Sequence, residues 1–142
     1  MIFRSGRNMK IHIQTGALEF EHGSITRGMD RQSFLTSELG KTAEVFVDNG
    51  PYVTYRIRPE PDIVATVSFH GSRLTGVSWL FELSESKEKE WTEALELERR
   101  QVHDEWLLRE LGRPPYRYSW GELSSEFDPR GCVSDIILNY AT

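Results

Sequence analysis

Two periods of hydrophobic repetition run along this chain. Val53, Tyr55 and Ile57 alternate with polar neighbours, and so do Ile63, Ala65, Val67 and Phe69. The same alternation returns in Val77, Trp79, Phe81 and Leu83, and again in Ile136, Leu138 and Tyr140. A period of two is the mark of a strand with one face buried. Between the last two runs the period lengthens. From about Ser86 to Leu111 an apolar stripe of Trp91, Leu95, Val102 and Trp106 fits a single long helix. At ~1.5 Å per residue such a helix is roughly 39 Å long, enough to cross a whole sheet.

The punctuation agrees. Ile11 to Phe20 alternates around Thr15-Gly16 and reads as a short hairpin or bent strand pair. Asp30 is placed to N-cap a short helix running to about Leu39, with Phe34 and Leu35 inward and Gly40 ending it. Ala43 to Val47 and Tyr52 to Arg58 flank Asp48-Asn49-Gly50-Pro51, and Asn-Gly accepts the positive φ angles of a tight turn. Gly76 inside the strand Arg73 to Leu83 marks a bulge or bend. Ser84 or Ser86 would cap the long helix, and Gly112 before Pro114-Pro115 stops it. Glu85–Lys89, Glu96–Arg100 and Glu105–Arg109 are spaced as i,i+4 ion pairs. A final hairpin runs from Tyr116 to Tyr140 through Asp128-Pro129-Arg130-Gly131, a type I turn sequence.

Short turns between strands mean antiparallel pairing. The expected fold is α+β and two-layer: an antiparallel meander sheet of about 6–8 strands, packed by the long helix at about 86–111 and the short one at about 30–39. The first eight residues read as a disordered lead-in, with residues 9–142 forming one domain.

Charge changes the picture of what such a fold would meet. The net formal charge is −5, but residues 1–58 carry +2 and residues 59–142 carry −7. An acidic C-terminal half repels nucleic acid and anionic lipid and attracts a basic protein. The lone cysteine, Cys132, fits a reducing compartment. The N-terminus lacks a signal-like apolar run and no stretch is long enough to span a membrane, so a cytoplasmic protein is expected.

Candidate chemistry is sparse. His12, His22, His70 and His103 are scattered and read as solvated, and no metal-ligand, phosphate-cradling or dinucleotide spacing occurs. Catalytic residues, a metal and a cofactor are therefore not expected. Tyr52, Arg56 and Arg58 share one strand face, an aromatic-basic pattern that the acidity of the chain argues against as a nucleic-acid site. Glu98 falls inside the apolar stripe, with Arg109 the nearby cation. It is the charge expected to face inward. Off the stripe, Leu97, Leu107 and Leu108 lie among Glu90, Glu93, Glu96 and Asp104. Leucines ringed by carboxylates make a face for a basic, partly apolar protein. Glu93, Glu96, Leu97, Asp104 and Leu108 are its candidate contacts.

The segment Trp120-Gly121-Glu122-Leu123-Ser124-Ser125-Glu126-Phe127-Asp128-Pro129-Arg130-Gly131, followed by Ile136 to Tyr140, resembles the ending of a group of small, uncharacterised bacterial single-domain proteins. The Trp-bearing helix ending in Leu-Gly extends that resemblance to about the last third of the chain. In overall character the chain is similar to immunity proteins that neutralise bacterial toxins. That similarity implies a non-enzymatic inhibitor masking a basic partner such as a toxin. Two other classes fit the same composition: a homodimeric secretion chaperone or adaptor, and a small-molecule binder with a pocket between sheet and helix lined by Trp79, Trp91, Trp106 and Glu98.

Overall fold

The computed structural model describes residues 8–83, 92–130 and 132–142. The alternating segments form a seven-stranded antiparallel sheet in the order β4-β5-β6-β7-β10-β9-β8. Its strands are β4 (Glu44–Asn49), β5 (Tyr52–Glu60), β6 (Ile63–His70), β7 (Arg73–Phe81), β8 (Tyr116–Tyr118), β9 (Gly121–Asp128) and β10 (Val133–Tyr140). A second, three-stranded sheet is built from β1 (Lys10–Ile11), β2 (Leu18–Phe20) and β3 (Gly23–Ile25). The helices are α1 (Arg31–Thr36) and α2 (Glu93–Leu111). This is the expected α+β fold with a terminal hairpin. The sequence reading left out β3 and folded β8 into that hairpin.

Alternation sets which face is covered. Val53, Tyr55, Ile57, Ile63, Ala65, Val67, Phe69, Val77, Trp79, Phe81, Ile136 and Leu138 are all buried, and their strand neighbours are largely half-buried or exposed. The small sheet and both helices pack on that one side, in one contiguous hydrophobic cluster. Phe34 of α1 meets Tyr55 and Phe69 with ring centroids 5.8 and 5.5 Å away, so α1 sits over β5 and β6. Helix α2 lies over β7, β10 and β9.

Local signals held in part. Asp30 caps α1 by accepting from the Ser33 N–H at 2.7 Å, but the helix ends at Thr36 rather than near Leu39. A 3-10 turn, Gly40–Thr42, follows it. The expected irregularity at Gly76 is present: Ser68 pairs with Gly76 and Phe69 with Leu74, leaving Thr75 as the extra residue of a bulge. A Cβ at Gly76 would lie 2.6 Å from the Leu138 carbonyl oxygen, so the close approach of β10 requires glycine. The cap of α2 is Thr92, whose hydroxyl accepts from the Leu95 N–H at 3.1 Å, not Ser84 or Ser86. Those serines, Trp91 and the Glu85–Lys89 pair lie outside the described residues. Gly112, at φ 82, closes the helix through its N–H to the Leu108 carbonyl at 3.0 Å.

Candidate partner-binding face

Of the stripe read from the sequence, the buried side of α2 keeps Trp106 but not Leu95 or Val102. It consists of Glu96, Arg99, His103, Trp106 and Leu107, while Leu95 and Val102 lie at its margin. Three polar residues therefore face the sheet, and the strands explain why. The β7–β10 ladder pairs Asn139 with Gly76 and runs to Ile136 opposite Trp79. Two residues further along that register, at Phe81 and Ser134, side chains of α2 supply hydrogen-bond partners. The Phe81 N–H donates to His103 Nε2 at 3.1 Å, and the Phe81 carbonyl accepts from Arg99 Nε at 3.1 Å. The Ser134 N–H donates to Glu96 Oε1 at 2.8 Å, and its hydroxyl donates to the Glu96 carbonyl at 3.0 Å. Arg99 and Glu96 close the set with an ion pair at 2.5 Å. Buried backbone groups need partners, and here a helix provides them to a sheet.

This seam overturns four expectations. Glu96, a candidate partner contact, is 2% exposed and belongs to the seam. Its cation is Arg99, one position short of Arg100, because i,i+3 also brings side chains together on a helix. Glu98 is exposed: two positions from Glu96, it lies on the other side of the helix. His103, read as solvated, is fully buried. Burial, with Arg99 beside it, pushes its pKa down to about 3, so it is neutral and accepts through Nε2.

The proposed pocket between sheet and helix is also corrected. Trp79 and Trp106 are both buried in edge-to-face contact, with centroids 6.0 Å apart, so their rings fill that space. Glu98 is not in it.

Beside the seam, the remaining candidate contacts fall together. Glu93, Leu97, Asp104 and Leu108 are all exposed, at spacings of four, seven and four that keep them on one face. Leu97 is 57% and Leu108 52% exposed. Leu107, grouped with them in the sequence, is buried. At the C-terminal end of this face a cleft of about 610 Å³ opens between α2 and the edge of the sheet. Asp104, Leu107 and Leu108 form one wall, and Tyr116, Glu122, Leu123, Ser124 and Ser125 the other. Sequence reasoning missed the strand side of this cleft. Its signal was the Pro114-Pro115 pair beside a short strand.

The uncovered face of the sheet carries a second concavity of about 450 Å³, between Phe46 and Arg56 at one side and Asp128 and Asp135 at the other. Arg56 sits over the Phe46 ring, 4.0 Å from its centroid, and Arg58 pairs with Glu82. Tyr52 packs on His70. These cations are thus engaged within the sheet. Burial, with Asp128, Glu126 and Glu96 nearby, raises the Asp135 pKa to about 6. Cys132 is exposed in the β9–β10 turn at φ 53. Among the described residues no three His, Cys, Asp or Glu side chains are grouped to hold a metal ion. No described helix is long and apolar enough to cross a membrane.

Comparison with known proteins yields no matching family model and no matching curated protein. Among solved structures, a chain of "Rhs1-CT in complex with cognate immunity protein RhsI1" shares the fold, with a TM-score of 0.61. The match covers 93% of this chain and 86% of that one, at 16% sequence identity.

Proposed function

We propose that this chain is a non-enzymatic, protein-binding inhibitor of the immunity kind, which masks a basic partner such as a toxin. The observation that carries the reading is the outer face of α2, where Leu97 and Leu108 stand about half exposed among Glu93 and Asp104. Large apolar side chains held in water at the centre of an acidic face are the composition of an interface core with a charged rim. The shared fold with a chain of a complex between Rhs1-CT and its cognate immunity protein supports it. Masking needs no chemistry from this protein. The acidic half steers a basic surface inward, and the leucines exclude water once contact is made.

The test is co-purification at low salt with the product of the adjacent gene. A specific complex, weakened about tenfold or more by Leu108→Asp, is expected. Recovery of no specific protein overturns the reading. The exposed edge strand β4, with Val45, Phe46 and Val47 each about half exposed, favours as runner-up a homodimeric chaperone or adaptor. Light scattering showing a strict monomer removes that alternative.

A further inference from the structure

The cleft beside α2 ends on an unfinished sheet edge. Strands β8 and β9 pair Tyr118 with Gly121, Arg117 with Glu122 and Tyr116 with Leu123, and there β8 stops. Continued, the same register would set Pro115 opposite Ser124 and Pro114 opposite Ser125. Proline has no N–H to give a ladder, so the chain leaves the sheet. On its other side β9 is paired with β10 along its whole length, Asp128 opposite Val133 through Gly121 opposite Tyr140.

The direction of the open backbone groups follows from the hairpin. A two-residue turn is closed by a hydrogen-bonded pair, here Tyr118 and Gly121, and in an antiparallel ladder the sides alternate residue by residue. Gly121 and Leu123 therefore aim their N–H and C=O groups at β8. Ser125 and Phe127, next in that alternation, aim theirs at the same side, beyond the end of β8. The Trp120 carbonyl, one step out of phase, accepts from Ala141 on the β10 side at 2.8 Å, as this alternation requires. In addition the Ser125 hydroxyl is buried with no hydrogen-bond partner among the described residues.

We infer that this half-open edge of β9 is a docking groove for an extended, basic segment of the partner protein, which adds as a strand where β8 ends. The inference rests on the proposed inhibitor function and names how the partner would be held. Strand addition satisfies the backbone groups of Ser125 and Phe127 directly. Alternate side chains of the incoming strand would point into the cleft, toward Leu107, Leu108 and Tyr116. The others would point to the outer side, which carries Glu126 and Asp128. Asp104 adds a carboxylate on the helix wall, and the cation lining the cleft, Arg117, already faces Glu122 at 3.7 Å. This charge balance selects lysine and arginine at the outward positions. The groove also runs without a break into the exposed face of α2 through Asp104 and Leu108.

The test is residue-resolved amide exchange on the full chain at low salt, with an acetylated and amidated Lys-Val-Lys-Val-Lys-Val peptide as probe and its Glu-Val counterpart as control. The Lys-Val probe is expected to slow exchange at Ser125 and Phe127 about tenfold, and the Glu-Val peptide to leave them unchanged. Ser125→Pro removes an edge donor without touching the β10 ladder, so protection at Phe127 should be lost. Should that variant not fold, Glu126→Lys keeps the backbone and should weaken the Lys-Val probe alone. Equal protection by both peptides, protection by neither, or protection confined to Glu44–Asn49 overturns the groove. With the adjacent-gene product in place of the peptide, the two proposals separate. A complex that leaves Ser125 and Phe127 unprotected and tolerates Ser125→Pro sinks only the groove. Absence of any complex, with the Lys-Val probe still protecting both residues, sinks only the inhibitor reading.

Discussion

Glu96, Arg99 and His103 show how far a single side chain here departs from its usual role. Each is a residue that sequence patterns place outside, and each is at least nine-tenths buried because a strand end needs what it carries. Removing one partner from such a set costs more than the pair contributes. Glu96→Gln leaves Arg99 buried without its counter-charge and is expected to destabilise the protein by about 3–5 kcal/mol in denaturant unfolding. The pH dependence has two opposed sources. His103 titrates near 6.5 when unfolded and near 3 when folded, so its contribution is complete above pH 6.5 and is lost as pH falls toward 3. Asp135 runs the other way. Its folded pKa of about 6 exceeds the ordinary 3.8, so its contribution is complete below 3.8 and is lost as pH rises through 6. Asp135→Asn is therefore expected to match the parent near pH 4 and to exceed it by about 1 kcal/mol at pH 8, solvent at the hairpin having reduced the full electrostatic value. Urea melts at the two pH values check this.

At the scale of elements, the β-strands were the most legible part, because Ile63 to Phe69 and Ile136 to Tyr140 bury alternate residues without exception. The helix period was legible too, but its phase was not. Apolar character points to Leu95 and Val102, whereas the buried positions are 96, 99, 103, 106 and 107, an equally regular helical stripe whose first three members are polar. Glu98 and Glu96 exchanged places for that reason alone. Of the candidate partner face, Glu93, Leu97, Asp104 and Leu108 are surface residues in both the sequence pattern and the structure. The cleft was not readable, because it depends on the strand order that sets β9 beneath α2. A similar long-range dependence fixes the first loop. Tyr140 donates its hydroxyl to the Gly16 carbonyl at 2.7 Å, and Trp120 Nε1 donates to the Ile13 carbonyl at 2.8 Å. Gly16 sits at φ 77, and a Cβ there would lie 2.3 Å from the Trp120 ring. Gly16→Ala is expected to cost about 1–3 kcal/mol through backbone strain and displacement of that ring, measurable by thermal unfolding and by a change in tryptophan fluorescence.

For the whole molecule, the uneven charge is the property a partner would meet first. Association with a basic protein is expected to slow as salt rises, since the Debye length shrinks from about 10 Å at 0.1 M to about 3 Å at 1 M. Dissociation should respond instead to Leu97→Ala and Leu108→Ala, each raising the off-rate several-fold with little change in salt dependence. Stopped-flow association and surface-based dissociation measurements separate the two. An on-rate indifferent to salt would remove the steering argument.

The polar seam has one further consequence. Leucine-to-leucine packing tolerates sliding and rotation, but Glu96, Arg99 and His103 each meet an assigned backbone group, so α2 seats in one register like a key in a lock. The outward residues of the helix take no part in that seating. Their identities are free to drift, residue by residue, while their positions stay fixed. Such a helix is a rigid mount whose outer surface can be altered by substitution without unseating the helix beneath it.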